Sequence, residues 1–151
     1  MNDQKINAFT IIGLAVRTAN GKGQAETDIP ALWNRFMSSQ AADQIPGKTD
    51  DTLYCVYTDY EKDHTAPYTV ILGCRVHSID QLPEGMTSVS IKAGNYVEFT
   101  AKGNIMEGIV YHTWLDIWAS GLDRAYETDF EVYGPKAQDP GNAEVPVFIG
   151  V

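Results

Sequence analysis

The chain has few basic residues and few residues that commonly bind metals. Only 11 of its 151 residues are lysine or arginine, against 20 aspartates and glutamates, so the formal net charge is -9. This excess of acid disfavours general binding to nucleic-acid phosphates or to anionic membrane surfaces. The two cysteines and three histidines lack the spacings that are typical of metal sites. The sequence therefore predicts no metal, no cofactor and no direct nucleic-acid partner.

Long apolar runs are also missing. No stretch approaches the roughly 20 consecutive apolar residues that a membrane span needs. The polar start, Met1–Lys5, is not followed by the apolar segment of a signal peptide. A cytoplasmic protein is therefore expected, with Cys55 and Cys74 as free thiols. The motifs GxGxxG, GxxxxGK[ST], HExxH and GxSxG are absent from the sequence, so no catalytic residue is predicted.

What is present is the composition of one folded domain. Apolar residues make up 44% of the chain and charged residues 21%, and the mass is 16.7 kDa. A chain of this size can bury a core without disulfides or metals. Aromatic residues reach 11%, with eight tyrosines. We therefore expect residues 1–151 to form a single domain.

Residue patterns divide this domain into two halves, about 6–80 and 86–151. In the first half, Phe9–Arg17 is expected to form a strand, with Gly13 at a bulge or a close backbone approach. Asp28 is expected to cap a helix of about ten residues that carries Pro30 in its first turn.

A hairpin completes the first half. Residues 52–60 and 68–76 both have strand-like sequences, and a polar turn joins them. If the hairpin folds symmetrically about residues 64 and 65, Cys55 lies opposite Cys74. His64, in the turn, is expected to be solvated.

The second half repeats this order of elements. A β-rich stretch at 87–101 precedes a helix that begins at Asn104 and ends near Gly121, and two strands follow at 129–134 and 144–150. The order βαββ therefore occurs twice. Two such units related by a pseudo-twofold axis would form one antiparallel sheet with both helices packed on one side. The predicted fold class is α+β.

Glu131 is unusual among the acidic residues. It lies within the strand-like segment Phe130–Tyr133, between residues that favour burial. Simple alternation would place it on a water-facing side of the strand, and this alternative stays open. The other interpretation is a carboxylate at the floor of a pocket, where burial raises its pKa and a bound cation favours its charged form.

The aromatic residues allow a similar pair of interpretations. The helical residues Trp33, Phe36, Trp114 and Trp118 are typical of a core. Tyrosines on strands combine an apolar ring with a polar tip, and each ring face can stabilise a cation by about 0.5 to 2 kcal/mol. The strand tyrosines are Tyr54, Tyr57, Tyr96 and Tyr133. Together with a buried carboxylate they would suit an amphipathic organic cation.

Four groups of segments resemble the GyrI-like small-molecule-binding domain, also described as the effector-binding domain of AraC-type and multidrug-responsive regulators. They are residues 9–14 with 29–33, residues 91–96, residues 114–118, and residues 129–133 with 145–147. The resemblance implies that Glu131 lies in the ligand pocket and pairs with cationic ligands. It also implies aromatic walls, for which the candidates are Trp33, Tyr54, Tyr57, Tyr96, Trp114 and Tyr133.

Regulators of this kind carry a separate helix-turn-helix domain, whereas here no basic helical segment precedes the first expected strand. The chain is therefore similar to the stand-alone members carried on integron cassettes. The leading functional hypothesis is a module that binds small amphipathic cations, as a monomer or a homodimer. The alternatives are a hydrolase of reactive small molecules, in which Glu131 activates water, and an acidic protein that inhibits a DNA-binding partner.

Overall fold

A computed structural model describes residues 3–151, and these residues form eight strands, three α-helices and several 3-10 turns. In chain order the elements are β1 (Asp3–Ile6), β2 (Phe9–Thr18), α1 (Gln24–Ser38), α2 (Ala41–Gln44), β3 (Lys48–Thr58), β4 (Tyr68–Val76), β5 (Thr87–Ile91), β6 (Gly94–Gly103), α3 (Ile109–Ala119), β7 (Thr128–Tyr133) and β8 (Ala143–Gly150). None of the helices in this part of the chain is long and apolar enough to cross a membrane.

All eight strands belong to one antiparallel sheet with the order β1-β6-β8-β7-β3-β4-β2-β5. From the central pair outward, β7-β8-β6 on one side corresponds to β3-β4-β2 on the other. The two βαββ units are therefore related by a pseudo-twofold axis that passes between β3 and β7. This topology confirms the predicted repeat and the α+β fold class.

The sheet is strongly curled. Phe9 on β2 and Phe130 on β7 lie three strands apart in the sheet. In a flat sheet this separation would be about 14 Å, but the centroids of their rings are 5.5 Å apart. In addition, only Asn7 and Ala8 separate β1 from β2, although β1 lies at one edge of the sheet and β2 lies next to the other. Curling therefore brings the two edges of the sheet together.

The two faces of the sheet carry separate cores. On one face, Leu32 and Phe36 of α1 and Trp114 and Ile117 of α3 pack against the strands. This arrangement confirms that both predicted helices lie on one side. The opposite face, inside the curl, has its own apolar cluster, formed by Ile11, Tyr54, Val56, Ile71, Ile91, Tyr96 and Phe130.

Helix α1 begins earlier than the sequence predicts. It starts at Gln24, after Gly23 with φ +70°, so Asp28 is an interior residue and not the cap. Glycine adopts this left-handed conformation without a steric penalty, and the residues that follow it, Gln24 to Glu26, are good helix formers. Pro30 also lies inside the helix, where it cannot donate a hydrogen bond to the carbonyl of Glu26.

Two further expectations about the strands are wrong. Strand β1 was not expected because its sequence, Asp-Gln-Lys-Ile, is mostly polar, and it forms by pairing with β6. In the hairpin, Cys74 pairs with Leu53 and Cys55 pairs with Leu72, so the register differs by two residues from the symmetric one. The predicted register is wrong because Thr58 pairs with Thr69, which centres the hairpin between residues 63 and 64 and not between 64 and 65. Both cysteines are buried free thiols.

Candidate functional site

The two central strands place Glu131 at the junction of the two halves. Glu131 on β7 pairs with Cys55 on β3. Because side chains alternate along a strand, Asp129, Glu131 and Tyr133 share one face of β7, the face that the helices cover. Tyr57 of β3 lies on the same face. The side chain of Glu131 is thus buried, with 1% of the residue exposed, and the water-facing alternative is wrong.

Three neutral groups donate hydrogen bonds to the Glu131 carboxylate. The hydroxyl of Tyr57 and the indole nitrogen of Trp114 each donate to Oε2 at 2.7 Å, and the hydroxyl of Tyr133 donates to Oε1 at 2.6 Å. No lysine, arginine or histidine among residues 3–151 forms an ion pair with Glu131. The carboxylate is therefore hydrogen-bonded, but no cation of the described chain balances its charge.

Burial dominates the electrostatics of this group. It raises the pKa of Glu131, and the hydrogen bonds from Tyr133, Tyr57 and Trp114 oppose part of that rise. Burial also raises the pKa values of Tyr57 and Tyr133 well above their usual range, and the neighbouring Glu131 contributes to both increases. Both phenols therefore remain protonated donors at neutral pH.

A cavity of about 380 Å³ lies over Glu131, between α1 and α3. This volume falls within the range of small-molecule pockets. Aromatic side chains dominate the lining, and they come from both helices, from strands β3, β4 and β7, and from the turn after β3. The eight tryptophans and tyrosines are Trp33, Tyr57, Tyr60, Tyr68, Tyr111, Trp114, Trp118 and Tyr133.

Five of the seven predicted site residues line this cavity, namely Glu131, Tyr133, Trp114, Tyr57 and Trp33. Tyr54 and Tyr96 do not, and their assignment to the same pocket is wrong. Tyr54 is three residues from Tyr57 on one strand, so its side chain points to the opposite face of the sheet. Tyr96 lies in that same opposite cluster, where its hydroxyl donates to the carbonyl of Lys92 at 2.5 Å.

Sequence reasoning did not assign the other residues of the cavity wall, which include Tyr60, His64, Tyr68 and Trp118. One signal was available, because Trp118 is four residues after Trp114 and so shares a helix face with it. His64 was expected to be solvated, but it is half-buried and its ring stacks on Trp118, with centroids 5.9 Å apart. The fold of the turn after β3 places it there, and no local pattern reveals this.

A second buried carboxylate, Asp129, lies on the same face of β7. Arg124 forms an ion pair with it at 2.7 Å, and the hydroxyl of Tyr60 and the backbone N–H of Gly150 donate to it at 2.5 and 2.9 Å. Burial raises the pKa of Asp129, while Arg124 opposes that rise. Asp129 thus has a cation within the protein, whereas Glu131 has none among the described residues.

The cavity is lined by aromatic rings and hydrogen-bonding groups and not by a set of metal ligands. Within the described part of the chain, no three His, Cys, Asp or Glu side chains are grouped so that they could hold a metal ion. The groups around Glu131 are hydrogen-bond donors with aromatic rings. The cavity therefore combines the buried carboxylate of Glu131 and the exposed carboxylate of Glu26 with several ring faces.

Known proteins with similar sequences and folds agree with this architecture. The integron cassette protein VCH_CASS2 from the mobile metagenome of Vibrio cholerae is 34% identical, with a TM-score of 0.77 over 99% of this chain and 94% of its own. YobU of Bacillus subtilis (strain 168), named for transcriptional regulation, is 29% identical over 143 residues, which is 92% of this chain and 89% of its own.

A more distant structure shares the fold alone. SAV2435, determined in complex with tetraphenylphosphonium, is 13% identical, with a TM-score of 0.74 over 98% of this chain and 91% of its own.

The family model described as integron-associated effector binding protein matches residues 4–151. Because this match covers nearly the whole sequence, the chain belongs to the integron-associated effector binding protein family.

Proposed function

We propose that the protein binds small amphipathic organic cations in the cavity between α1 and α3, with Glu131 as the counter-charge. One observation carries the proposal. Glu131 is buried at the cavity, and its three hydrogen-bonding partners, Tyr57, Trp114 and Tyr133, are all neutral. A buried charge is costly when no opposite charge is near it. A cationic ligand would supply that opposite charge.

The aromatic walls provide the remaining affinity. Each ring face against a cation contributes about 0.5 to 2 kcal/mol, with the larger values at desolvated sites. Two or three such faces, together with one buried carboxylate, are sufficient for micromolar affinity, about -8 kcal/mol. The rings also favour flat or aromatic ligands over small, strongly hydrated ions.

The comparisons support a ligand of this class. The chain belongs to a family described as effector binding, and SAV2435, which shares the fold, was solved with tetraphenylphosphonium bound. That compound is a lipophilic cation. Its aromatic rings and its positive charge are the features that the aromatic walls and Glu131 are proposed to bind.

The test compares a cation with its neutral carbon isostere, methyltriphenylphosphonium with 1,1,1-triphenylethane. Dissociation constants can be measured by quenching of the fluorescence of Trp114 and Trp118, which line the cavity. The wild type is expected to prefer the cation by at least about 100-fold, because removing one partner of a buried ion pair costs about 3 to 5 kcal/mol. Glu131→Gln should abolish most of this preference.

The control is Glu127→Gln. It changes the net charge by the same amount at a residue that is 54% exposed and pairs with Lys92 on the surface. This variant should retain the preference for the cation. Equal binding of the two compounds by the wild type, or an unchanged preference in Glu131→Gln, would refute the proposal.

A further inference from the structure

The cavity wall carries a second carboxylate that no neighbouring cation neutralises. Glu26 lines the cavity from α1, and it is an exposed residue, so a ligand can reach it. No lysine, arginine or histidine among residues 3–151 forms an ion pair with it. Arg124, which also lines the cavity, is buried and pairs with Asp129. The cavity thus has an acidic group at its exposed side in addition to the buried Glu131.

One face of α1 connects the two carboxylates. The residues of this face that line the cavity are Glu26, Ile29, Pro30 and Trp33. Their spacing is that of one side of a helix. At the far end, the ring of Trp33 packs against Tyr133 with centroids 4.7 Å apart, and Tyr133 donates to Glu131. About two helical turns, or roughly 10 Å along the axis, separate Glu26 from Trp33.

This arrangement favours a ligand with two separated positive charges. A monocation that pairs with Glu131 leaves Glu26 with solvent alone, whereas a second cationic group on the same molecule would pair with it. Between the two carboxylates, α1 presents Ile29 and Pro30 to the cavity. These apolar side chains suit an apolar spacer between the two charges. The order of charge, apolar surface and charge along the wall therefore matches an elongated dication.

We propose that Glu26 is a second cation subsite, so that the cavity prefers dications whose positive groups are separated by an apolar spacer of about 10 Å. This inference rests on the proposed function, since the first cationic group of the same ligand pairs with Glu131. It narrows the ligand class from amphipathic cations in general to elongated ones with a positive group at each end.

The test uses triphenylphosphonium cations that carry a heptyl chain ending in either a trimethylammonium or a tert-butyl group. The two compounds have nearly the same shape and differ by one positive charge. The wild type is expected to bind the dication about fivefold more tightly, which corresponds to about 1 kcal/mol, the upper end for an exposed ion pair. Glu26→Gln should reduce this ratio to about twofold or less.

The control is Asp28→Asn. Because any dication is attracted to a chain with a net charge of -9, the control removes one negative charge from the same helix. Asp28 does not line the cavity, and it accepts a hydrogen bond from Gln24 at 3.2 Å. Asp28→Asn should retain the wild-type ratio. Acidic side chains near the start of a helix also stabilise it, so urea denaturation is used to establish that both variants are folded.

The length of the spacer tests the geometry. In the corresponding pair of compounds with a propyl chain, the second charge cannot reach Glu26 while the first stays at Glu131. The ratio for the propyl pair should therefore be the same in the wild type and in Glu26→Gln.

The outcomes separate this inference from the proposed function. Equal binding of the two heptyl compounds by the wild type, equal losses of their ratio in Glu26→Gln and Asp28→Asn, or an equal effect of Glu26→Gln on the propyl and heptyl pairs overturns the second subsite. Glu131→Gln should weaken both heptyl compounds and leave their ratio unchanged. If Glu131→Gln weakens neither compound while the ratio still depends on Glu26, the role of Glu131 fails and the subsite at Glu26 stands.

Discussion

Two carboxylates on β7, separated by one residue, have opposite electrostatic surroundings. Asp129 and Glu131 are both buried and both lie on the helix side of the sheet. Asp129 pairs with Arg124, whereas Glu131 accepts hydrogen bonds from neutral donors. The described residues therefore supply a cation to Asp129 and none to Glu131. The contrast makes Glu131 the residue at which a ligand charge is expected.

The hydroxyl of Tyr57 should help to set the proton affinity of Glu131. Tyr57→Phe removes one donor to the carboxylate, so we expect the pKa of Glu131 to rise further. The free energy of unfolding should fall by about 1 to 3 kcal/mol, and the pH at which cation affinity is half lost should move upward. Urea denaturation and ligand titrations across pH measure these two effects.

Tyr54→Phe is the matched control, because Tyr54 is a buried tyrosine on the same strand but on the opposite face of the sheet. It should leave the pH dependence of cation binding at the wild-type value. Identical pH dependence in the two variants would contradict the role assigned to the Tyr57 hydroxyl.

Strand alternation determines how far the site residues could be predicted. Glu131 and Tyr133 are two residues apart, so any register places them on one face of a strand. Tyr54 and Tyr57 are three residues apart, so at most one of them could join that face. The sequence does not show which face the helices cover, so alternation alone does not tell whether Tyr54 or Tyr57 joins Glu131, or to which face Tyr96 points.

At the scale of elements, the order of strands and helices could be predicted from the sequence, but the residues at which they begin and end could not. Hydrophobic periodicity gave both major helices and most of the strands. Strand β1 is mostly polar and depends on pairing with β6, which is about 90 residues away in the chain. The start of α1 depends on the left-handed conformation of Gly23. Such features arise from tertiary pairing and from backbone geometry, which local periodicity does not report.

Gly13 and Gly73 mark the closest approach of two strands, as predicted for Gly13. They face each other in the β2–β4 pair, and a Cβ added at Gly13 would lie 2.1 Å from the carbonyl oxygen of Leu72. Gly13→Ala should therefore destabilise the protein by about 1 to 3 kcal/mol or more, because the backbone must move. Chemical denaturation measures this loss.

Gly94→Ala serves as the matched control, since a Cβ at that position meets nothing within 4 Å. Its effect should remain within about 0.5 kcal/mol, as for most surface substitutions. Comparable losses of stability in the two variants would contradict the conclusion that the close approach of the β4 backbone excludes a side chain at position 13.

At the scale of the whole molecule, the cavity belongs to both halves. Trp33 and Tyr57 come from the first βαββ unit, and Trp114, Glu131 and Tyr133 come from the second. The site thus lies at the pseudo-twofold axis, next to the central β3–β7 pair. A ligand that binds there contacts both halves and should stabilise the domain as one unit.

Thermal unfolding tests this expectation. Methyltriphenylphosphonium at about 100 times its dissociation constant should stabilise the folded state by about 2.7 kcal/mol. For a chain of this length the midpoint temperature of unfolding should rise by roughly 5 to 10 °C, and unfolding should remain one cooperative transition. Glu131→Gln should show little increase at the same concentration. Two separate transitions, of which only one moves, would indicate that the ligand contacts a single half.

The central claim is that the negative charge of Glu131 holds the cation, and a titration of this carboxyl tests it most directly. Carbon-13 NMR of the labelled glutamate side chains, with Glu131→Gln to assign the signal, gives its pKa with and without methyltriphenylphosphonium. The free protein should show a pKa above the ordinary value of about 4.3, because burial disfavours the charged form. A saturating cation should lower that pKa by about one pH unit or more, and cation affinity should accordingly fall as the pH decreases through it. A pKa for Glu131 that is the same with and without the cation would contradict the account.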